Sequence, residues 1–425
     1  MSTDTEQTTA MTLSEELLWR GFYHQSTFTS PELLDKEKRT LYFGVDPSAD
    51  SMQVGNLAAA MMVRVFLKHG YKAVLLIGGA TGAIGDPDGK SEERELKSLE
   101  EVSKNVAGIT SQYKTVFAGK EFEIVDNYTW FKDMGYLDFL REIGKHFSMT
   151  QLLDREFVQS RIGLGGKGIS YAEFSYSLIQ GYDFLHLYRD KGATLQLCGA
   201  DQWGNSVAGI GLIRKLEKAE AHVWSMPIIM NKSTGKKFGK SEDGAVWLSS
   251  EKTSAYKFYQ FWLNADDDGV EDYLKIFTTM SPDEIAKIMQ IFKEAPHERH
   301  AQKQLAFAVT EIVHGAVVAQ AVVTASEVIS GKIDFMNADH SIIELIAKEI
   351  PTLSIDAIEG KPGRILISEV LVQRGLASSR TEATRLIKDK AISINNSRIS
   401  EDDYIVSGPV LIKRGKKSDK VCIVL

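Results

Sequence analysis

The first half of the chain alternates short apolar runs with segments in which apolar residues recur at helical spacing. Residues 39–46 (RTLYFGVD) predict a buried strand, and 55–69 predict a helix. KAVLLIGG (72–79) is a continuous apolar run that ends in glycines, as expected of a strand buried on both faces. The same strand-to-helix order returns at 194–205, and 227–230 predict another short strand. This alternation is typical of an α/β fold with a Rossmann-like, doubly wound parallel sheet.

Strand signals stop near residue 250, which divides the chain into parts of different character. We predict a catalytic domain at 1–250 and an all-α domain at 251–330, where the patterns are helical throughout. The weakly patterned residues 331–362 are expected to form a linker. Residues 363–425 combine two short helical patterns with strand-like runs and predict a small α+β domain.

The composition is that of an ordinary globular protein, with 43% apolar and 25% charged residues in 425 positions. Two cysteines, Cys198 and Cys422, exclude a disulfide scaffold and a cysteine-cluster zinc site. The nine histidines lack metal-binding spacing, so no metal site is expected. No apolar stretch reaches the ~18 residues of a membrane span. The polar, acidic start resembles neither a secretory nor a mitochondrial signal, and we therefore expect a cytoplasmic protein.

The charge is distributed unevenly along the chain. The net charge is −7, yet residues 363–425 hold 12 Lys and Arg against 7 Asp and Glu, a charge of +5. A basic segment on an acidic body is typical of a contact with RNA or DNA. A segment that is basic by chance remains the alternative.

Polar residues that directly follow the predicted strands are candidates for a binding site, because ligands of such sheets bind at the carboxyl ends of the strands. DPSADSMQVGN (46–56) leads into a helix, and helix N-termini favour anions. Gly55 would let a phosphate or a flat ring approach the backbone closely. Strand-to-helix turns with Asp, Pro and Ser also occur without any ligand.

Two glycine-containing segments carry pairs of cations. The Gly-rich stretch 78–90 is predicted to be a loop, and Lys90 and Arg94 at its end suit a phosphate that must be bound and released. A solvated charged loop is the alternative. In GKKFGKSEDG, Lys237 and Lys240 could close over a triphosphate, although the spacing is not that of a Walker A loop.

A further set of carboxylates, phenols and amides lies in or near these strand ends. Together such groups suit a zwitterionic small molecule that carries a hydroxyl, whereas each one singly is more often a structural hydrogen-bonder. The set comprises Tyr42, Asp46, Asp86, Tyr176, Gln180, Asp183, Asp201 and Gln202.

The order DPSADSMQVGN, GGATGAIGDP, FSYSLIQGYDF, GADQWGN, KFGKS resembles that of bacterial-type tyrosyl-tRNA synthetases, from about residue 11 onward. KFGKS is a variant of the KMSKS signature of class I synthetases, and the C-terminal segment resembles the small RNA-binding fold that ends those enzymes. The resemblance implies that tyrosine and ATP, with Mg²⁺, form tyrosyl-adenylate and pyrophosphate before the tyrosyl group moves to tRNA(Tyr). It also implies a homodimer and no structural metal.

The resemblance assigns roles to individual residues. Tyr42 and Asp183 would hydrogen-bond the substrate phenol, Asp86, Tyr176 and Gln180 its ammonium group, and Gln202 would lie near the tyrosine and the α-phosphate. The ATP contacts would be Asp46, Gly55, Gly199, Asp201, Lys237, Lys240 and Ser241. The catalytic set would be Ser48, Gln53, Asn56, Lys90, Arg94, Lys237 and Lys240. The RNA contacts would be Arg374, Arg380, Arg385, Lys388 and Lys390.

One position departs from the family pattern. Gln53 stands where the first histidine of the HIGH signature is usual, in the sequence QVGN. A glutamine amide also donates a hydrogen bond, but it cannot become cationic. Gln53 motivates one alternative, a catalytically weakened or silent paralogue that acts as an RNA-binding protein. A second alternative is activation of a different amino acid, such as tryptophan. Tyr42 with Asp183, both suited to a phenol, argue against the second.

Overall fold

The computed structural model divides the chain into two compact units. Unit 1 comprises Met1–Thr253 and Leu263–Leu305, and unit 2 comprises Ser254–Trp262 and Ala306–Leu425. No helix in the part of the chain that the structure describes is long and apolar enough to cross a membrane. The structure describes residues 11–86, 97–153, 156–163, 168–241, 244–354, 365–407, 409–415 and 421–425, with the backbone alone at 151, 156, 157, 160, 240 and 241.

Strands and helices are numbered here in chain order. The strands are β1 (Gln25–Ser26), β2 (Thr40–Val45), β3 (Lys72–Ile77), β4 (Phe122–Asp126), β5 (Ala193–Gly199), β6 (His222–Met226), β7 (Lys240–Ser241), β8 (Gly244–Ala245), β9 (Thr352–Leu353), β10 (Ile365–Leu366), β11 (Ile392–Ile394), β12 (Ser397–Arg398), β13 (Ile405–Val406), β14 (Val410–Arg414) and β15 (Val421–Val424). The helices are α1 (Leu13–Arg20), α2 (Leu33–Lys36), α3 (Val54–Lys68), α4 (Gly79–Ile84), α5 (Leu99–Val116), α6 (Tyr128–Phe131), α7 (Tyr136–Glu142), α8 (Met149–Leu153), α9 (Glu156–Ile162), α10 (Tyr171–Lys191), α11 (Trp203–Glu217), α12 (Ala255–Leu263), α13 (Val270–Phe277), α14 (Pro282–Glu294), α15 (His300–His314), α16 (Ala316–Ser330), α17 (His340–Glu349), α18 (Ile367–Gln373) and α19 (Arg380–Lys388).

Unit 1 is built on a six-stranded sheet of order β1-β6-β5-β2-β3-β4. Its strands run parallel except β1, which pairs antiparallel with β6 at the edge. The predicted doubly wound parallel sheet is thus confirmed, and β2 and β3 match two of the predicted strands. The strand predicted at 227–230 is wrong, because the strand of that region is β6, which ends just before Pro227. Proline has no N–H to donate to a ladder and therefore stops the strand.

The Gly-rich stretch 78–90 is not a loop throughout, since Gly79–Ile84 form α4. The helix N-terminus is capped from β4: the Gly79 N–H donates to Asp126 Oδ1 at 3.1 Å and the Ala80 N–H to Asn127 Oδ1 at 2.7 Å. These partners lie far away in sequence, so the local glycine content concealed a helix that tertiary contacts stabilise.

Unit 2 combines helices with a five-stranded sheet of order β12-β11-β14-β15-β9. Ile387 of α19 and Ile392 and Cys422 of the sheet share one buried core. Helices α12 to α16, which are divided between the two units, account for the α-helical structure between residues 251 and 330, as the helical patterns predict.

The domain division differs from the one expected from the sequence. The predicted linker 331–362 contains α17 and also β9, which pairs parallel with β15. Ile342 and Ile346 of α17 are buried in one cluster with Phe335 and Ile423, so the segment belongs to the core of unit 2. The predicted all-α domain is itself shared between the two units. The weak apolar pattern did not reveal these distant partners.

Candidate active site

A cavity of about 370 Å³ lies at the carboxyl ends of the central strands of unit 1. Parallel strands end at one edge of the sheet, and polar residues that follow them converge there. The lining includes all eight members of the polar set predicted from the sequence, together with Ser48, Gly55, Asn56, Gly199 and Lys237: Tyr42, Asp46, Asp86, Tyr176, Gln180, Asp183, Asp201 and Gln202.

Asp183 of α10 is a buried carboxyl group with two fixed partners. Asn127 Nδ2 donates to its Oδ2 at 3.1 Å, and Trp130 Nε1 donates to its Oδ1 at 3.0 Å. Burial raises the pKa of Asp183 to about 8, while the two hydrogen bonds act in the opposite direction. Burial, with Asp183 nearby, also raises the pKa of the Tyr42 phenol. A phenol and a carboxyl group are therefore brought together in the interior of the protein.

Three cavity-lining residues have a buried polar atom without a hydrogen-bond partner among the described residues. They are the Tyr42 hydroxyl, Gln180 Oε1 and Gln196 Oε1. Buried polar atoms in native proteins are nearly always paired, so unpaired atoms need an explanation. Their position in one cavity fits a polar ligand that supplies the missing partners.

Asp46, directly after β2, is held from two sides. Thr81 Oγ1 donates to its Oδ1 at 2.7 Å, and the Tyr176 hydroxyl donates to its Oδ2 at 2.8 Å. Gly78 permits this arrangement, because a Cβ there would lie 2.5 Å from Asp46 Oδ1. Burial, and secondarily Asp46, raises the pKa of Tyr176, which therefore stays a hydrogen-bond donor.

A second chain of polar contacts runs from α4 to α11. Gln202 Nε2 donates to Asp86 Oδ2 at 2.5 Å, and Asn205 Nδ2 donates to Gln202 Oε1 at 3.2 Å. Gln202 is thereby fixed at the helix entrance. Lys237 Nζ lies 3.9 Å from Asp201 Oδ2, with 61% and 49% of these side chains exposed, so both groups reach solvent.

The segment before α3 places backbone and side chains at the cavity. Gly55 lies in the first turn of α3 and lines the cavity with Ser48 and Asn56. Gln53 is the N-cap, and its backbone N–H donates to Asn56 Oδ1 at 2.9 Å. Gln53 also forms a backbone bridge with Trp247, and it is not among the lining residues.

The structure does not reach every residue assigned from the sequence. Lys90 and Arg94 lie outside the described residues. The backbone of Lys240 and Ser241 forms β7, which pairs with β8, but their side chains lie outside the described part of the chain. Their assigned contacts with phosphate remain predictions.

Sequence reasoning missed several residues that shape the site, among them Thr81, Asn127, Trp130 and Gln196. The run EIVDN at 123–127 shows the same pattern of an apolar strand followed by polar residues that identified the other strand ends. Applied there, that pattern would have found Asn127. Gln196 offered no such signal, because it lies within β5 between apolar neighbours.

The five basic residues of unit 2 that the sequence assigned to RNA contacts fall into two groups. Arg374 is half-buried and donates from Nη1 to the Thr352 carbonyl at 2.9 Å, so its guanidinium group supports β9. Arg380 pairs with Glu369 at 2.6 Å. The others are exposed: Arg385, Lys388 and Lys390. The structure thus separates two arginines with internal partners from three exposed cations at the end of α19.

Comparisons with known proteins show the family to which the chain belongs. Residues 34–329 match the family model of class I tRNA synthetases (W and Y), and residues 342–421 match the C-terminal domain model of tyrosine–tRNA ligases. The chain is 39% identical to a tyrosine–tRNA ligase of Flavobacterium psychrophilum and 42% identical to one of Bacillus caldotenax. Each comparison covers 96% of this chain and 98% of the relative.

A solved structure shows the same relationship. The C-terminally truncated mitochondrial tyrosyl-tRNA synthetase of Aspergillus nidulans superimposes with a TM-score of 0.68 at 29% identity, over 75% of this chain and 94% of that one. These similarities confirm the resemblance drawn from the sequence motifs. The chain therefore belongs to the class I tRNA synthetases of the tryptophan and tyrosine group and, within it, to the tyrosine–tRNA ligases.

Proposed function

We propose that the cavity of unit 1 binds L-tyrosine with its phenol between Tyr42 and Asp183. The supporting observation is the Tyr42 hydroxyl, which is buried in the same cavity as the Asp183 carboxyl and has no hydrogen-bond partner in the part of the chain that the structure describes. A tyrosine hydroxyl would satisfy both groups, whereas phenylalanine would leave them unpaired. That cost gives a physical basis for rejecting phenylalanine.

The opposite end of the amino acid is proposed to bind near the other strand ends. Asp86, Tyr176 and Gln180 offer a carboxylate, a phenol and an unpaired amide oxygen for an ammonium group. Gln202, fixed by Asp86 and Asn205, is proposed to lie beside the tyrosine carboxylate and the α-phosphate. The carboxylate oxygen attacks the α-phosphorus, the bond to the β-phosphate oxygen breaks, and pyrophosphate leaves with its electron pair.

The nucleotide is proposed to lie between the turn before α3 and the segment around Lys237. Ser48, Gly55 and Asn56 offer a hydroxyl, an open backbone and an amide, and Gly199 with Asp201 would contact the ribose. Lys237, with Lys90, Arg94, Lys240 and Ser241 as predicted, would surround the leaving pyrophosphate. Catalysis would then consist of positioning and stabilisation of phosphate charge.

Mg²⁺ is proposed to arrive with ATP. Mg²⁺ in nucleotide sites usually takes one or two carboxylates besides phosphate oxygens and water. The cavity offers a carboxylate that is open to solvent in Asp201. The bound ion would supply positive charge beside the phosphates.

Transfer of the tyrosyl group to tRNA(Tyr) is proposed to depend on unit 2. The exposed Arg385, Lys388 and Lys390 present three positive charges near the end of α19, as expected of phosphate contacts. Arg380 remains a candidate because 71% of its side chain is exposed despite the ion pair. Arg374 donates a hydrogen bond to the Thr352 carbonyl, and we therefore do not include it among the proposed RNA contacts.

A homodimer is proposed on the basis of an exposed apolar surface in unit 1. Tyr136, Leu137 and Tyr171 are 62%, 71% and 62% exposed, and Tyr136 and Tyr171 border a cavity of about 270 Å³. Apolar patches of this kind are typical of interfaces. Leu137→Glu should shift the protein from dimer to monomer in sedimentation velocity, while a wild-type monomer would contradict the proposal.

Two free, buried cysteines fit the proposed cytoplasmic location.

The proposed activity is tested by amino-acid-dependent ATP–pyrophosphate exchange with tyrosine, phenylalanine and tryptophan. Exchange with tyrosine alone supports a phenol-reading ligase that works with Gln53. Exchange with tryptophan would contradict the assignment of Tyr42 and Asp183. Folded protein that binds tRNA but exchanges with no amino acid would instead support the silent RNA-binding alternative.

A further inference from the structure

One side of helix α5 contacts the segment that joins β2 to α3. Asn105, Gly108 and Gln112 are spaced three and four positions apart and so lie on one side of the helix. Asn105 Nδ2 donates to the Pro47 carbonyl at 2.9 Å, and Asn105 is only 4% exposed. All three residues meet the same segment, 47–52, which we call the nucleotide turn.

Gly108 makes the closest approach of the three. A Cβ at this position would lie 2.0 Å from the Asp50 carbonyl oxygen and 2.9 Å from the carbonyl carbon. Those are backbone atoms, so any larger residue must push the turn or the helix aside. Glycine at 108 therefore sets how closely α5 can hold the turn.

Gln112 fixes the end of the nucleotide turn with both halves of its amide. Its Oε1 accepts the Met52 N–H at 2.7 Å, and its Nε2 donates to Ser51 Oγ at 2.8 Å. Ser51 is 4% exposed, and its Oγ also accepts the Ser249 N–H at 3.0 Å. One glutamine on α5 is thereby connected to two separate backbone segments.

Residues at the end of the nucleotide turn are hydrogen-bonded to residues 246–248, which follow the segment with Lys237 and Lys240. The Leu248 N–H donates to the Met52 carbonyl at 2.9 Å, and the Val54 N–H donates to the Val246 carbonyl at 3.1 Å. The Val246 N–H in turn donates to the Gly239 carbonyl at 3.0 Å. The nucleotide turn thus lies between α5 and the segment that begins at Lys237.

We propose that Asn105, Gly108 and Gln112 are positioning residues for ATP, acting through the nucleotide turn on Ser48, Gly55 and Asn56. The inference rests on the proposed function of the cavity. The tyrosine end should be insensitive to them, because the Tyr176 hydroxyl is held by Asp46, which Thr81 of α4 in turn holds. Asp183 is likewise held by Asn127 and Trp130. These three residues of α5 should therefore affect the binding of ATP and leave the binding of tyrosine unchanged.

The test compares two variants that disturb the turn in opposite ways. Gln112→Met keeps the side-chain length and releases the turn, whereas Gly108→Ala pushes against Asp50. For each we expect the KM for ATP in pyrophosphate exchange to rise about tenfold. Gln112→Met loses two hydrogen bonds, and Gly108→Ala displaces the turn from its position. The Kd for tyrosine in equilibrium dialysis should stay within about twofold of the wild type. Gln112→Glu keeps the acceptor for Met52 and should restore part of the ATP affinity.

Ser111→Ala, at an exposed position of the same helix, is the matched control and should behave like the wild type. An unchanged KM for ATP in folded variants, or an equal rise for ATP and tyrosine, overturns the inference. If circular dichroism shows that Gln112→Met does not fold, Gln112→Glu and Gly108→Ala are judged by the same criterion.

Titration with α,β-methylene-ATP distinguishes a failure of the proposed function from a failure of the positioning role of α5. A wild-type protein that binds this analogue but catalyses no pyrophosphate exchange would contradict the proposed function. In that case the Kd values of the variants for the analogue, compared with the wild-type Kd, still test the positioning role of α5. Wild type that binds no nucleotide overturns both.

Discussion

Trp130 donates its indole N–H to Oδ1 of Asp183 over 3.0 Å and thereby fixes a buried carboxyl group in the cavity. The hydrogen bond favours the ionised carboxyl and opposes the effect of burial on its pKa. Trp130 also stacks on His186, with ring centroids 4.3 Å apart, which fixes the indole itself. The phenol-binding end of the site is thus supported by side chains that need not touch the ligand.

Trp130→Phe should weaken tyrosine binding about tenfold while the stacking on His186 is retained. Without the indole N–H, the pKa of Asp183 should rise further, so the pH dependence of tyrosine binding should move to higher pH. Equilibrium dialysis with tyrosine between pH 6 and 9 measures both effects. A pH profile identical to that of the wild type would contradict this role of Trp130.

Tyr42→Phe should stabilise the ligand-free protein and impair its use of tyrosine. Among the described residues the buried wild-type hydroxyl has no partner, so removing it should raise the free energy of unfolding by on the order of 1 kcal/mol. Tyrosine should then protect the variant less against thermal unfolding than it protects the wild type. If Tyr42→Phe without ligand melts at a lower temperature than the wild type, the Tyr42 hydroxyl has a hydrogen-bond partner and the prediction is wrong.

Asp183→Asn tests the raised pKa of this carboxyl group. A carboxyl whose pKa is about 8 when folded, against about 4 when unfolded, costs stability as pH rises between these values. Only the wild type carries this titrating group. The melting temperature of the variant relative to the wild type should therefore increase from pH 4 to pH 8. A constant difference over that range would show that Asp183 is ionised normally.

Gln53→His should raise the rate of tyrosyl-adenylate formation, because an imidazolium can place positive charge near the phosphates and an amide cannot. The Kd for tyrosine should not change, since Gln53 lies at the N-cap of α3 and is not among the cavity-lining residues. Single-turnover formation of the adenylate measures the rate. An unchanged or slower rate would refute the assignment.

Replacing Arg385, Lys388 and Lys390 together by alanine should weaken tRNA binding and leave pyrophosphate exchange intact. If all three contact phosphates, the slope of log K against log salt should fall by about 2 to 3. Arg374→Ala is a contrasting variant that should chiefly destabilise unit 2. Equal loss of exchange and of charging in the triple variant would contradict the division of labour.

Deleting residues 363–425 would be a poorer test of tRNA binding. Leu411, Val421 and Ile423 share a buried cluster with Val328 of α16 and Ile346 of α17. Removing the segment would expose apolar surface on the helices that remain, and loss of charging could then follow from misfolding. Surface substitutions avoid that ambiguity.

The sequence alone determined the parallel sheet, the edge at which the site lies and most of the polar groups there. Those features are local: a strand shows as an apolar run, and several polar residues of the site, such as Asp46 and Asp201, follow such runs. Only the tertiary structure decided which distant partners support them. Helix α4 exists because Asp126 and Asn127 cap it, and β9 joins unit 2 by pairing with β15. Gln112 reaches the nucleotide turn across 60 positions of sequence. No local pattern records such a contact, because its energy depends on two segments that meet only when the chain is folded.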